Sequence, residues 1–275
     1  MNFQITNKID FENFAQKNWN AINIFLDGYQ SSLPPLLYGS VDIRESSHKY
    51  APVDMNMYPA GFNNICKFDQ AQTTNQFATF FKQTKADAKT IGIFIESHTK
   101  NLFYLDHIYQ LSLLITNAGY QTFLFTIDND LFESGEQKTL NLISQSQHQV
   151  TIHLAQMINH QFFIQDQALD LIVMNNDQSK PFNINWDEIK TPIHPTPKIG
   201  WFKRKKADHF SFYEKVVSAF SAKFSVEPNL LMAQYTSVDQ VNFATKDGID
   251  KIADEFDLLQ KKIGKESPIY IKANS

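Results

Sequence analysis

Short apolar runs alternate with a segment of helical periodicity in the middle of the chain. Residues 90–95 and 121–126 are rich in β-branched and aromatic side chains. Residues 102–118, between them, carry apolar positions at helical spacing and are followed by Gly119. A strand, a helix and a second strand at this spacing predict a parallel βαβ crossover.

The same patterns predict the remaining elements. Apolar runs predict further strands at 36–44, 150–154, 162–164, 169–174 and 268–272. Helical spacing predicts helices at 10–26, 73–84, 208–222, 228–234 and 246–262, with caps at Thr73 or Thr74 and at Asp208. The proline-rich residues 181–197 are expected to form an extended connection across a domain boundary. The predicted fold class is α/β, with a mainly parallel sheet and flanking helices.

Residues 51–64 show neither the apolar spacing of a helix nor that of a strand. Pro52 and Pro59 interrupt any helix, and Gly61 permits a backbone conformation closed to other residues. Polar and large apolar side chains alternate here, so we expect the apolar ones to dock on the body while the polar ones converge on a ligand. The polar residues are Asp54, Asn56, Asn63 and Asn64, and the strand just upstream delivers Arg44. A carboxylate, several amides and an arginine suit a zwitterionic or acidic small molecule.

Composition narrows the class of protein. The chain has 275 residues, enough for one large domain or two modest ones. Its net charge of −4 and pI of about 6.1 disfavour nucleic acid and anionic membranes as partners. No apolar run has the length of a membrane span, and the amino terminus lacks a signal-peptide core. The single cysteine, Cys66, cannot form an internal disulfide, which suits a cytoplasmic location, and it is expected to be a buried, inert thiol.

Three segments resemble the proteobacterial-type glutamate–cysteine ligases, a family related to the ATP-grasp enzymes. The first is Ser-Val-Asp-Ile-Arg at 40–44, continued by 51–56 and by Pro-Ala-Gly-Phe-Asn-Asn at 59–64. The second is the Trp–basic cluster–His–Phe pattern at 200–210, and the third is the strand predicted at 268–272, which ends in Lys272. The resemblance covers nearly the whole chain and corresponds to the amino-terminal part of such a ligase.

The resemblance implies a reaction in which ATP phosphorylates the side-chain carboxylate of glutamate and the amine of cysteine attacks the acyl phosphate. This is the first step of glutathione synthesis, and phosphoryl transfer implies Mg²⁺ beside ATP. It implies that Arg44 pairs with a substrate carboxylate and Asp54 with the α-ammonium group. The orienting residues would be Asn56, Asn63 and Asn64; the catalytic cations would be Lys203, Arg204 and Lys205; and the ATP-binding residue would be Lys272.

The resemblance also implies a division of the chain. Residues 1–199 would form an α/β substrate-side domain, and residues 200–275 would begin an ATP-grasp-like domain. The glycine-rich lid and the magnesium ligands of that domain are expected beyond Ser275. We therefore expect the 275-residue chain alone not to ligate.

Several features keep more than one interpretation. The basic run at 203–206 is by default a solvated turn, and a phosphate or carboxylate site is favoured over a nucleic-acid patch. His209 could be a proton carrier, but a structural role is the preferred interpretation. Residues 96–98 and 175–177 follow predicted strands, where open α/β sheets bind ligands, but polar turns also have this composition.

Two other functions remain open at this stage. The first is a non-catalytic module that binds an amino acid or a peptide. The second and weaker one is a nucleotide-sugar or similar transferase, for which no glycine-rich phosphate loop follows the strand at 90–95. The sequence does not determine the oligomeric state.

Overall fold

The computed structural model describes residues 4–132, 137–179, 182–264 and 268–272. These residues fall into two compact units. The first comprises the described parts of 1–35, 41–55 and 204–275, and the second comprises those of 36–40 and 56–203. The amino-terminal and carboxyl-terminal segments thus belong to one unit. The domain boundary expected at residue 200 stays a prediction.

A six-stranded sheet forms the centre of the second unit. Its strands are β3 (Thr90–Ile95), β4 (Gln121–Thr126), β5 (Thr139–Ile143), β6 (Gln149–Leu154), β10 (Leu171–Asn175) and β11 (Ile193–His194). Their order is β11-β10-β3-β4-β6-β5, and every neighbouring pair is parallel except β5 with β6. The predicted α/β class with a mainly parallel sheet is confirmed.

Helices and a small sheet complete the second unit. The helices are α3 (Lys67–Thr84) and α4 (Leu102–Asn117), and the small antiparallel sheet contains β7 (Gln156–Ile158), β8 (Gln161–Ile164) and β9 (Gln167–Ala168). One apolar cluster joins the large sheet to both helices, and a second joins it to β8. All residues of β3 are buried, which explains its continuous apolar run.

Several local predictions in the second unit are wrong. Helix α3 begins at Lys67, so Thr73 lies inside the helix, where its hydroxyl donates to the Asp69 carbonyl at 2.9 Å. Cys66 is exposed, and its Sγ donates to an Asp69 carboxylate oxygen at 3.0 Å. The proline-rich segment is not only a connection, because it supplies the edge strand β11.

Among the described residues, the first unit contains four α-helices and all of a two-stranded sheet except its terminal residues Ser40 and Asn56. They are α1 (Lys8–Lys17), α2 (Trp19–Gln30), β1 (Ser40–Glu45), β2 (Tyr50–Asn56), α5 (Lys206–Phe224) and α6 (Lys246–Ile263). A core that includes Ile22 and Phe220 joins α2 to α5, and Ile5 pairs with Val226 in a parallel bridge. Within the described ranges, no helix combines the length and the apolar character that crossing a bilayer requires.

The first unit also corrects the predictions. The helix expected at 10–26 is two helices, because Asn18 leaves helical geometry and its side-chain amide donates to the Phe14 carbonyl at 2.9 Å. Residues 50–56 form strand β2, which tolerates Pro52 because both strands of a two-stranded sheet are edge strands.

Three carboxyl-terminal predictions in this unit are also wrong. The helix expected at 228–234 is only a 3₁₀ turn at Pro228–Leu230, and the N-cap of α5 is Lys205 rather than Asp208. Residues 268–272 are not a strand, because a strand requires a paired neighbour and the part of the chain that the structure describes offers them none.

Asp170 fixes the entry to strand β3. Its carboxylate accepts the backbone N–H groups of Lys89 and Thr90 at 2.8 and 3.0 Å, the Thr90 hydroxyl at 2.9 Å and Lys85 Nζ at 3.0 Å. Burial alone would raise the pKa of Asp170, but these hydrogen bonds outweigh it and hold the pKa far below its ordinary value. The ionised carboxylate therefore stabilises the fold at neutral pH.

We expect Asp170→Asn to lower the free energy of unfolding by about 2 kcal/mol at pH 7. Because the folded-state pKa is lowered, the carboxylate's contribution is complete above about pH 4 and is lost as the pH falls further. The difference between variant and wild type should therefore narrow below about pH 4 in urea unfolding followed at several pH values. Asp250→Asn, at an exposed position on α6, is the control. If Asp170→Asn and wild type differed by the same free energy of unfolding at every pH, this account would be contradicted.

Candidate functional site

The carboxyl ends of β3 and β10 form the first candidate site, in the second unit. From β3 the chain moves to β4 and β6 on one side, and it then returns to β10 and β11 on the other side. The direction of winding thus switches between β3 and β10. Open α/β sheets bind ligands outside the carboxyl ends of the strands at such a point.

Buried polar side chains connect these two strand ends. The Glu96 carboxylate accepts the backbone N–H of Asp177, and its own N–H donates to Tyr104 Oη at 2.7 Å. The Asn176 amide donates to the Ile95 carbonyl at 2.8 Å, next to Glu96. Burial raises the pKa of Glu96 and outweighs the hydrogen bond from Asp177. These residues form an organised network rather than only a solvated turn.

A loop at residues 59–64 is attached to the same edge, and we call it the signature loop. The Pro59 carbonyl accepts a hydrogen bond from the Asn175 amide at 3.0 Å, and the Phe62 N–H donates to His107 Nδ1 at 3.2 Å. Gly61, between these two points, has φ of +92°, as its residue type predicted. The loop ends in a 3₁₀ turn, Phe62–Asn64, that leaves the Asn63 and Asn64 side chains exposed.

A carboxylate and a lysine form the centre of the second candidate site, in the first unit. Lys206 Nζ, in the first turn of α5, lies 3.0 and 2.9 Å from the two carboxylate oxygens of Asp54 on β2. Both side chains are about four-fifths buried, with exposures of 18% and 20%. Burial would raise the pKa of Asp54, but the bonds from Lys206 and the charges of Lys272 and Arg204 outweigh it and lower the pKa.

Other predicted residues surround this ion pair. Both terminal nitrogens of Arg204 are buried, whereas Lys205 and Lys272 are exposed. His209 Nε2 is buried and has no hydrogen-bond partner among the described residues. Burial lowers the pKa of His209, although the Asp54 charge opposes this effect. The neutral imidazole is therefore favoured beside the cations.

The structure distributes the predicted site residues over both units. Those of the first unit are Arg44, Asp54, Arg204, Lys205 and Lys272, and those of the second are Asn56, Asn63, Asn64 and Lys203. Arg44 is exposed on β1, Lys203 is exposed, and Asn56 ends β2. The roles given to these residues stay predictions.

Sequence reasoning missed several residues of these sites. Lys206 closes the basic run at 203–206, but only the fold shows that it pairs with Asp54. His107 is a single histidine on an apolar helix, which is no signal of function in itself. Asn175 stood out only as the end of a predicted strand, where it could equally belong to a polar turn.

Magnesium is expected beside ATP only from the resemblance. Within the ranges that the structure describes, no group of three or more His, Cys, Asp or Glu side chains has the arrangement of a metal site. Mg²⁺ therefore stays a prediction of the resemblance, and we assign it no ligands.

The structure is that of an α/β protein with an organised polar network at the carboxyl ends of β3 and β10 in its second unit, and with a cluster of cations around Asp54 in its first unit. The family profile GshA, glutamate-cysteine ligase, matches residues 12–273. The chain belongs to this glutamate–cysteine ligase family.

A solved structure has the same fold. It is a protein proposed to be a gamma-glutamylcysteine synthetase, from Methylobacillus flagellatus KT, with a TM-score of 0.82 and 24% sequence identity. The match covers 90% of this chain and 57% of that one, so the chain spans little more than half of its structural relative. The search of curated proteins found no match.

Proposed function

We propose that the protein takes part in ATP-dependent ligation of glutamate to cysteine, which gives gamma-glutamylcysteine. The observation that carries this proposal is the family match over residues 12–273, which includes the signature loop and the basic run. An ATP-grasp-like arrangement of residues 200–275 belongs to the same proposal. So does a cytoplasmic location, whose reducing conditions keep the thiol of the substrate cysteine free.

The proposed reaction has two steps. A side-chain carboxylate oxygen of glutamate attacks the γ-phosphorus of ATP, so that an acyl phosphate forms and ADP leaves. The cysteine amine then attacks the acyl carbon, a C–N bond replaces the C–O bond to phosphate, and the amine loses a proton. Protein groups contribute to such chemistry mainly by positioning the reactants and stabilising charge.

In the first unit, the cationic cluster is suited to the charge stabilisation. Arg204 and Lys272 both lower the pKa of Asp54 through their charges, so the two cations act on the same carboxylate. We assign phosphate or carboxylate neutralisation to Arg204 together with Lys205, and ATP binding to Lys272. Asp54 would bind the α-ammonium group of glutamate. That group would then replace Lys206 Nζ as the partner of the Asp54 carboxylate.

In the second unit, the signature loop is suited to orient a substrate. Asn63 and Asn64 present neutral amide donors and acceptors to solvent from a loop whose backbone is bonded to β10 at Pro59 and to α4 at Phe62. We assign substrate orientation to them and to Asn56, and charge neutralisation to Lys203. Amides can contact the carboxylates and the ammonium of an amino acid without adding net charge.

The test is a coupling assay on the complete product of the gene that contains these residues. Purified protein is mixed with ATP, magnesium, glutamate and cysteine, and both phosphate and dipeptide are measured. We expect equal amounts of the two products, with neither formed when one substrate is omitted. Tight binding of an amino acid without turnover would instead favour the non-catalytic binding module.

Arg44→Lys should raise the KM for glutamate about tenfold although it keeps the charge, because lysine cannot make the two-pronged contact with a carboxylate. The arginines of this chain are Arg44 and Arg204, both inside the matched segments, and its other permanent cations are lysines. The KM for ATP serves as the internal control and should change little. An unchanged glutamate KM in the folded variant would remove Arg44 from the site.

A further inference from the structure

Two buried side chains attach the signature loop to the sheet by its backbone. His107, on α4, is 2% exposed, and Asn175, the last residue of β10, is 3% exposed. His107 Nδ1 accepts the N–H of Phe62 at 3.2 Å, and the Asn175 amide donates to the Pro59 carbonyl at 3.0 Å. The two attachment points lie on either side of Gly61, where the chain turns.

Hydrogen-bond chemistry fixes the orientation of both side chains. A backbone N–H can only donate, so His107 Nδ1 carries no proton and Nε2 does. His107 Nε2 therefore donates to Asn175 Oδ1 at 2.8 Å. A backbone carbonyl can only accept, so the Asn175 nitrogen must face Pro59, and an amide flip would break both of its contacts.

The surroundings of His107 favour this single arrangement. The Phe62 ring stacks on the imidazole at 5.6 Å, and the Tyr104 ring lies 5.5 Å away. Tyr38 Oη lies 3.4 Å from the Asn175 nitrogen and donates to the Met174 carbonyl at 2.7 Å. Among the described residues, the titratable side chains in contact with the pair are Tyr38 and Tyr104, whose raised pKa values keep them neutral. Burial lowers the pKa of His107 and outweighs the bond to Asn175, which favours the neutral imidazole that both bonds need.

We propose that His107 and Asn175 are positioning residues, which fix the signature loop so that Asn63 and Asn64 face the substrate. This inference rests on the proposed function. Both side chains are almost fully buried and use their polar atoms in these hydrogen bonds, so we assign them no direct contact with a ligand. Their effect passes through the backbone at Phe62, which immediately precedes the two asparagines. A loop held at both ends loses less conformational freedom when it binds a ligand.

Two substitutions separate the two hydrogen bonds of His107. In His107→Asn the side-chain oxygen can take the place of Nδ1 and keep the acceptor for the Phe62 N–H. In His107→Gln the side-chain nitrogen can take the place of Nε2 and keep the donor to Asn175, but the acceptor for Phe62 is lost. Both variants lose the ring, and Asn is one methylene shorter than Gln, so an effect of packing alone would be larger in His107→Asn. His153→Gln, at a histidine of β6 outside the loop contacts, is the control.

The first measurement follows hydrogen exchange of the Phe62 amide in the complete gene product. We expect exchange about tenfold faster in His107→Gln than in His107→Asn, because only the former leaves the N–H without its acceptor. We expect His153→Gln to exchange like the wild type at this amide. Equal exchange in the two His107 variants would show that the described bond does not hold the loop, and would overturn the inference.

The second measurement is the kinetics of ligation by the same proteins. We expect the KM for glutamate to be about tenfold higher in His107→Gln than in His107→Asn, although Gln fills more of the space that the ring leaves. Faster exchange with unchanged kinetics would assign the two residues to the fold alone and overturn the inference. A wild-type protein without ligase activity would overturn the proposed function instead, and the exchange measurement would still decide whether the attachment exists.

Discussion

Arg204→Ala should lower kcat/KM for ligation about 100-fold, the cost of removing a charged group that stabilises a transition state. The terminal nitrogens of Arg204 are buried, and its charge acts on the carboxylate of Asp54. A buried guanidinium binds phosphate or carboxylate oxygens more strongly than a solvated one, because water competes less. The kinetics of dipeptide formation at varied ATP and glutamate measure the effect.

Two further variants control this prediction. Arg204→Lys keeps the charge but loses the forked geometry, so its activity should lie between those of wild type and Arg204→Ala. Lys251→Ala removes an exposed cation of α6 that pairs with Asp247 at 2.9 Å, and it should leave the kinetics unchanged. A folded Arg204→Ala protein with wild-type kinetics would exclude Arg204 from the reaction.

Gly92→Val should destabilise the second unit by about 3 kcal/mol, the largest loss of stability that we expect from a single substitution. Gly92 lies in the middle of β3, and a Cβ atom there would come within 2.4 Å of Leu169 Cδ1 and 2.7 Å of Phe125 Cε1. Both neighbours are fully buried, and Phe125 stacks on Phe94. The added atoms therefore cannot be accommodated without moving packed side chains.

Gly28→Ala is the matched control for this prediction. Gly28 lies inside α2, and an added Cβ meets nothing within 4 Å. Alanine in a helix should therefore stabilise its unit by about 0.5–1 kcal/mol. Urea unfolding followed by circular dichroism compares the two variants with wild type. A Gly92→Val protein as stable as wild type would show that the sheet is packed less tightly than described.

The sequence was most informative where a pattern is local and continuous. Strands β3 and β4 begin and end at the predicted residues, because fully or largely buried parallel strands read as unbroken apolar runs. Helix α6 was equally clear, because its apolar positions recur at helical spacing and Gly264 follows its last turn. The positive φ of Gly61 is a conformation that its residue type permits, as the sequence indicated.

Features set by tertiary contacts could not be predicted in this way. Strand β5 lies at the edge of the sheet, and it can be recognised only from its antiparallel pairing with β6. The break at Asn18 is local, but it involves a side-chain hydrogen bond to the Phe14 carbonyl that the spacing of apolar residues does not reveal. The pairing of Asp54 with Lys206 joins residues far apart in the chain, which no local pattern reveals.

Some residues of the candidate site could be predicted from local sequence, and others could not. Asn63 and Asn64 were predicted from the alternation of polar and apolar residues around them. His107 was not, because a lone histidine among apolar residues is most often part of the core. Only the fold shows that its ring accepts a hydrogen bond from the signature loop.

The transfer of oxygen from glutamate to phosphate tests the central claim most directly. Glutamate labelled with ¹⁸O in its side-chain carboxylate is incubated with the complete gene product, ATP, magnesium and cysteine, and the phosphate is analysed by mass spectrometry. Activation as an acyl phosphate predicts that each dipeptide formed yields one phosphate carrying a single ¹⁸O, because the C–O bond breaks in the second step. Unlabelled phosphate, or label found in AMP, would contradict the proposed reaction.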